Sequence, residues 1–451
     1  MRATFDDSRA ALRREMLQVG MGAGALLLRW ITSHEATVVA AAALVFNSAA
    51  LPYLAPSLTR PFRGHRHFDP GLVLFPASVL LLLFLIPERL DIVAATWGIM
   101  AAGDGMAAIV GRRISSAPIP WNRSRTVAGS AAFVIFGGAA GAFLSWWCSP
   151  RVMPPPFPWF TIWMPFAAAL AAAAAETLPI RLDDNVSVPV AAAAVLWSAS
   201  VVNEDLVAAA LARAGGVLPA ALAANAVVAT AGYFAGTVTR TGALCGAIIG
   251  IVILETAGWS GWGLLLATFA IAVIASRLGL QRKAMLGIAE PRAGRRGVAN
   301  AIANTGVAVV AAVLSATTYA ADVALIGFVA ALAAGGSDTV ASEIGKAWGR
   351  RTVLVTTLGR VRAGTSGAMS LEGTAAGLTA AVALAGIAIV LGLAPRSALP
   401  AIVIGATAGS LIESVLGATL ETQGVLDNDV LNLINTAVAA LAAIWVFLTF
   451  K

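Results

Sequence analysis

Charge is scarce in this chain. Only 12% of its 451 residues are Asp, Glu, Lys or Arg, where a soluble domain carries about a quarter. The polar stretches between apolar blocks are all too short to hold a soluble domain. Cysteine is nearly absent, limited to Cys148 and Cys245, and there are three histidines. So few sulfur and imidazole ligands argue against a disulfide framework and against a zinc site. What remains is oily: 59% of the residues are hydrophobic, with 44 glycines among them and their neighbours. The expectation is an all-α polytopic membrane protein.

Apolar blocks fall near 17–34, 36–55, 70–87, 91–110, 127–147, 159–178, 187–202 and 216–236, then near 239–257, 260–279, 298–315, 320–335, 374–394, 398–420 and 430–450. At about 20 residues per span they predict roughly 14–16 transmembrane helices in two related halves, with a seam near residue 235. The small residues within them suit close helix packing in lipid. A formal charge of +7 raises nucleic acid as a partner, but the cations sit in short loops at 60–66, 112–125, 277–296 and 350–362. That placement argues against nucleic acid and fits basic loops held on the cytoplasmic side. Some of the same cations could also bind an anionic substrate. Residues 1–15 are polar and amphipathic without a cleavage signal, and read as a cytoplasmic leader.

Within this background one ordered set of polar groups occurs twice. The first half has Gly103-Asp104-Gly105, Arg112-Arg113, Asn122-Arg123-Ser124-Arg125-Thr126 running to Gly129-Ser130, Glu176, and Asp183-Asp184-Asn185. The second has Gly336-Ser337-Asp338, Lys346, Arg350-Arg351, Gly364-Thr365-Ser366-Gly367, then Ser370, Glu372 and Gly373, Glu413, and Asp427-Asn428-Asp429. A carboxylate at membrane depth is expensive, so it marks a functional site or a satisfied partner. The repeated order suggests a duplicated site that handles phosphate.

If the segment around Asp338 is helical, Asp338 and Ser342 share one face. Carboxylates and substrate phosphates are the ligands magnesium prefers, and Lys346, Arg350 and Arg351 could neutralise phosphate oxygens. The plainer reading of Asp338 is a helix cap. Asp104, with Arg112 and Arg113, has the same two readings. The stretch 364–377 suits a backbone cradle for an anion, or a flexible connection; Arg123, Ser124, Arg125, Thr126 and Gly129 are its first-half match. Glu176 and Glu413 each stand in an apolar span and precede an acidic-Asn group, so Asp183, Asp184, Asp427 and Asp429 join Asp104 and Asp338 as candidate metal ligands. A lone buried Glu can instead be protonated or hydrogen-bonded. Asn300 and Asn304 share a helix face as helix glue or as ligands, and Asn185 and Asn428 are further polar candidates.

Residues up to about 235 resemble the membrane prenol kinase family (phytol and dolichol kinases), itself akin to phosphatidate cytidylyltransferases. The resemblance is carried by Gly103-Asp104 through Arg113, by 121–130, by Glu176-Thr177-Leu178-Pro179, and by Leu182-Asp183-Asp184-Asn185-Val186-Ser187-Val188-Pro189. Residues from about 236 resemble the phytyl-phosphate kinase family, through Gly336-Ser337-Asp338-Thr339 to Gly345, Gly364-Thr365 with Gly367, and Ser370-Leu371-Glu372-Gly373-Thr374. The resemblance implies a prenol kinase-like domain at 1–235 fused to a phytyl-phosphate kinase-like domain at 236–451. The first would phosphorylate an isoprenoid alcohol and the second would extend the monophosphate to a prenyl diphosphate. CTP or another nucleoside triphosphate would be the donor and Mg2+ the cofactor, with Asp104, Glu176, Asp338 and Glu413 catalytic. The sites would face the cytoplasm of a prokaryotic inner membrane, with the substrate tail among membrane lipid. Two departures stand out: Arg14-Glu15-Met16-Leu17-Gln18, where prenol kinases commonly show a basic residue and a His, and Arg125 in place of Lys. Two other readings stay open: transfer of CMP to a lipid phosphate, and a non-catalytic lipid transporter or flippase built from repeats.

Overall fold

The structure, a computed structural model, describes residues 16, 19–54, 70–114, 116–119, 122–153, 155–177, 183–288 and 294–450. The expected leader at 1–15, the positions Arg14, Glu15, Leu17 and Gln18, the basic loop at 60–66, and Trp121, Leu178, Pro179 and Leu182 lie outside the described residues.

Among the described residues, 12 helices are long and apolar enough to cross a membrane, and Val19–Arg29 and Gly71–Leu85 are shorter apolar helices. The longest of the 12, Arg240–Arg277, breaks at Gly258, whose φ of 67° and ψ of −170° are non-helical. Glycine adopts such a φ without a Cβ clash. The chain reverses there: Gly242 and Gly246 before the break line the same crevice as Leu265 and Ala272 after it. Arg277 also donates to the Ala235 carbonyl, 2.9 Å away, just before the first arm begins. Counted as two arms, this hairpin gives thirteen span-length segments beside the two shorter apolar helices, against an expectation of 14–16 transmembrane helices. The protein is an all-α polytopic membrane protein, and its sheet content among the described residues is two short antiparallel hairpins.

The chain divides into two compact units, Met1–Val201 and Val202–Lys451. The boundary therefore lies one helix earlier than the 235/236 seam read from the sequence. The reason is packing. Helix Glu204–Phe234 lies against the Arg240–Arg277 hairpin, where Asn225 accepts a hydrogen bond from Trp262 Nε1 at 3.0 Å. Asn225 approaches so closely that a Cβ on Gly250 would stand 1.9 Å from its Oδ1.

In the first unit, Leu90–Arg113 supplies much of the core, including Ile92, Val93 and Ile99, and packs with Val127–Arg151 and Pro158–Thr177. In the second, Ala321–Trp348 runs through the centre, and its residues 330–336, all Ala or Gly but for Leu332, are buried. Small side chains let neighbouring backbones approach where lipid offers no hydrophobic gain.

Each hairpin delivers a helix cap. Asn122–Thr126 pairs with Pro118–Ile119, and Thr126 Oγ1 accepts the Gly129 N–H at 3.2 Å. Thr352–Leu354 pairs with Ala368–Ser370, and Ser370 Oγ accepts the Gly373 N–H at 3.1 Å. Each capping oxygen also faces a glycine on the preceding helix: a Cβ on Gly111 or on Gly345 would stand 3.1 Å from Thr126 Oγ1 or Ser370 Oγ.

One charged group holds the base of the second unit. Lys283 and Glu343, only 1% and 2% exposed, form an ion pair. Glu343 also pairs with Lys346 at 2.9 Å, and Lys283 donates to the Ser276 carbonyl at 2.8 Å. Breaking a buried pair strands its partner. Glu343→Gln is expected to destabilise the protein by about 3–5 kcal/mol, read as a lower melting midpoint in detergent, with the double variant Lys283→Met/Glu343→Met losing less. Gly373→Ala would place a Cβ 2.6 Å from the Ala341 carbonyl oxygen and should also lower that midpoint.

Candidate functional site

In the first unit, the sequence candidates Asp104, Glu176 and Asp184 converge, with carboxylate oxygens all within 4.8 Å of one another. Asp104 closes a widened π-helical turn, Ile99–Asp104, a distortion that often re-aims side chains at functional sites. Glu176 lies one residue from the end of Pro158–Thr177 and Asp184 begins Asp184–Val201. Arg125, carried in by the hairpin strand, pairs with Glu176 at 2.6 Å and with Asp184. Burial works against the Arg125 charge, but Glu176, Asp184 and Asp104 outweigh it and raise its pKa above the ordinary value.

Other first-half candidates take different roles. Asp183 is not in the cluster: its Oδ1 accepts from the Asn185 N–H and side-chain amide, both at 2.9 Å, and so caps the following helix. The Asn185 carbonyl accepts from Ser78. Ser124 is tied locally to Asn122 Oδ1, 3.2 Å from its N–H. Arg112, Arg113 and Arg123 are exposed. Thr126 and Gly129 form the cap beside the cluster.

In the second unit, the candidates gather around one cavity of about 440 Å3. Asp338, Ser342 and Lys346 line it from one helix; Gly364, Thr365, Gly367, Ser370 and Gly373 from the loop and cap; Glu413, Asn300, Asn304 and Asn428 from three others. Asp338 therefore sits inside a helix and faces the cavity rather than capping a helix start. The Asp338 and Glu413 carboxyls lie side by side, with Lys346 attracting Asp338. Among the described residues, Glu413 Oε2 and both amide atoms of the adjacent Asn435 have no hydrogen-bond partner. Gly367, at φ 70°, lets the loop touch the wall: a Cβ there would meet Ala418 N at 2.2 Å and the Ser414 carbonyl at 2.4 Å.

Five second-half candidates, Asp427, Asp429, Arg350, Arg351 and Glu372, do not line this cavity. Asp427 Oδ1 accepts the Val430 N–H at 3.0 Å and caps the following helix. Asp429, in the same first turn, does not line the cavity; Asn428 does. Arg350 and Arg351 are exposed, and Glu372 accepts the Arg350 backbone N–H at 3.3 Å. Both arginines follow the end of the helix carrying Lys346, at Trp348, and neither lines the cavity.

The sequence reading missed Glu421. It lines the cavity, accepts from Ser366, and closes a π-helical turn, Gly417–Glu421. A signal was present: eight residues separate Glu413 from Glu421, as eight separate Glu176 from Asp184. Lys283, Glu343, Arg296 and Asn432 were also missed, the last two lining the cavity.

Comparison with known proteins follows these features. An uncharacterised membrane protein of Synechocystis sp. is 38% identical over 201 residues, covering 44% of this chain and 78% of the relative. Protein VTE6, chloroplastic, of Arabidopsis thaliana is 32% identical over 216 residues, 45% of this chain and 65% of that protein. Probable phytol kinase 1, chloroplastic, of Glycine max is 37% identical over 113 residues, 22% of this chain and 33% of the kinase. No solved structure matches the chain. The family model for integral membrane protein DUF92 matches residues 223–440, which takes in Asp338, the Gly/Ser/Thr loop, Glu413 and Glu421. With this cavity inside the matched region and a relative aligned over most of its own length, the chain belongs to the DUF92 family of integral membrane proteins.

Proposed function

We propose that the protein is a membrane-embedded isoprenoid kinase with two sites, the first unit phosphorylating an isoprenoid alcohol and the second extending the monophosphate to a prenyl diphosphate. The observation that carries this reading is the Asp338–Glu413 pair, set between Lys346 and the Gly/Ser/Thr loop in one cavity. Relatives named as phytol kinases support the isoprenoid substrate. The basic loops favour sites that face the cytoplasm, where a nucleoside triphosphate, CTP by the family resemblance, is available.

Phosphoryl transfer depends on positioning and charge neutralisation more than on covalent chemistry. The loop around Gly364 and Gly367 would offer backbone N–H groups to phosphate oxygens, and Lys346 a point charge. Mg2+ suits the second unit: Asp338 and Glu413 supply hard oxygen ligands, and Glu413 Oε2 is unpartnered. When bound, it would neutralise the negative oxygens of the triphosphate. In the first unit the three clustered carboxylates also suit Mg2+, although Arg125 already pairs with two of them. Glu176 and Glu413 would orient the acceptor oxygen or take its proton. The two-domain fusion draws its support from the parallel arrangement of the two units.

Purified full-length protein, supplied with geranylgeraniol or its monophosphate and each nucleotide, tests the proposal by product mass. Asp338→Asn and Glu413→Gln should lower the monophosphate-to-diphosphate step by about 100-fold or more, while Asp104→Asn and Glu176→Gln should lower only the first step. Release of pyrophosphate instead of nucleoside diphosphate would replace the kinase by a cytidylyltransferase. Arg125→Lys should retain alcohol phosphorylation, whereas Arg125→Met should abolish it, measured on the same first step.

A further inference from the structure

A second cavity of about 130 Å3 adjoins the polar one in the second unit, between Glu204–Phe234, the two arms of the hairpin and Val298–Thr317. Val228, Ile249, Leu265 and Phe269 give it apolar walls. It is open at Gly246, which presents no side chain, while Gly242, one helical turn earlier, packs against the Arg296 backbone. Gly246 is also exposed on the outer face of its span, so the crevice reaches the surface that lipid would cover.

Arg296, Asn300 and Asn304 line both cavities, which makes them a polar neck between the crevice and the chamber of Asp338. Asn304 is 8% exposed, and its Oδ1, like that of Asn300, has no hydrogen-bond partner among the described residues. A buried acceptor without a donor is costly, and a protonated oxygen of a phosphate monoester would supply one. An apolar slot open to lipid, a polar neck with a guanidinium and two unpartnered amide oxygens, and a polar chamber beyond it together fit an amphiphile with one charged end.

We propose that this crevice holds the first isoprene units of a prenyl monophosphate whose head lies in the Asp338 chamber, and that its glycine wall selects acceptors with a long hydrocarbon chain. This rests on the kinase reading of the second unit. A Cβ on Gly246 would meet nothing within 4 Å, so a larger side chain there can fill the slot without displacing backbone.

The test uses the full-length protein in lipid nanodiscs. Relative to wild type and to the Gly246→Ala control, Gly246→Phe should lower the ratio of kcat/KM for geranylgeranyl phosphate over dimethylallyl phosphate by about tenfold or more. An unchanged ratio overturns the crevice. Binding is read independently, with a long-chain alkyl monophosphate carrying a diazirine on its tail, photolysed on the protein and mapped by mass spectrometry. Label concentrated on 228–249 and 265–272, and lost in Gly246→Phe, supports the crevice; label spread evenly over the outer faces of the spans refutes it. Crevice labelling without turnover of either monophosphate would keep the crevice and remove the kinase reading.

Discussion

A carboxylate in a low-dielectric surround must find a partner, and the rest of this structure is organised around that requirement. The effective penalty for desolvating an ion is several kcal/mol, about the size of a whole protein's net stability. The chain nevertheless carries acids into its helical interior in both units. In the first, Arg125 is delivered on a strand to two of three clustered acids. In the second, Lys283 and Lys346 both serve Glu343, Lys346 also attracts Asp338, and Glu413 keeps an unpartnered oxygen. An acid left partly unsatisfied inside a cavity is stable only where the fold supports it from elsewhere, which is why it marks a place for a ligand.

The two units meet the requirement with one local design. Seven residues separate Asp104 from Gly111 and Asp338 from Gly345. In each case the glycine makes room for a hydroxyl, Thr126 or Ser370, that ends a hairpin and caps the next helix three residues before Gly129 or Gly373. The final acids, Asp184 and Glu421, follow Glu176 and Glu413 at equal spacing. The units differ just before the cap, where the first has Arg125 and the second Met369. A guanidinium therefore enters the acid cluster of one unit, while the other draws its cation from the Asp338 helix.

Glycine has two distinct uses here. At Gly258 and Gly367 it supplies positive φ, once to turn a hairpin and once to press a loop against a helix. At Gly246 and Gly250 it supplies absence, so that a crevice and a buried Asn225 fit beside the same hairpin arm. The small-residue content visible in the sequence thus serves both close packing and the space between helices.

The helical, polytopic character was legible in the sequence, because blocks of apolar residues long enough to cross a bilayer have few alternatives to helix. The chemical character of the sites was legible too, since Asp104, Glu176, Asp338 and Glu413 are conspicuous wherever lipid surrounds them. Which neighbour each would meet was not, because capping depends on the φ and ψ of a single turn. Asp183 and Asp427 spend their carboxylates on helix ends, and Glu421 reaches the cavity from a widened turn that leaves no periodic signature. The unit boundary moved for a similar reason: the Asn225–Trp262 contact is long-range, and only the folded chain decides it. Residue type determined that acids would lie among oily helices, and tertiary packing decided which of them were left facing open space.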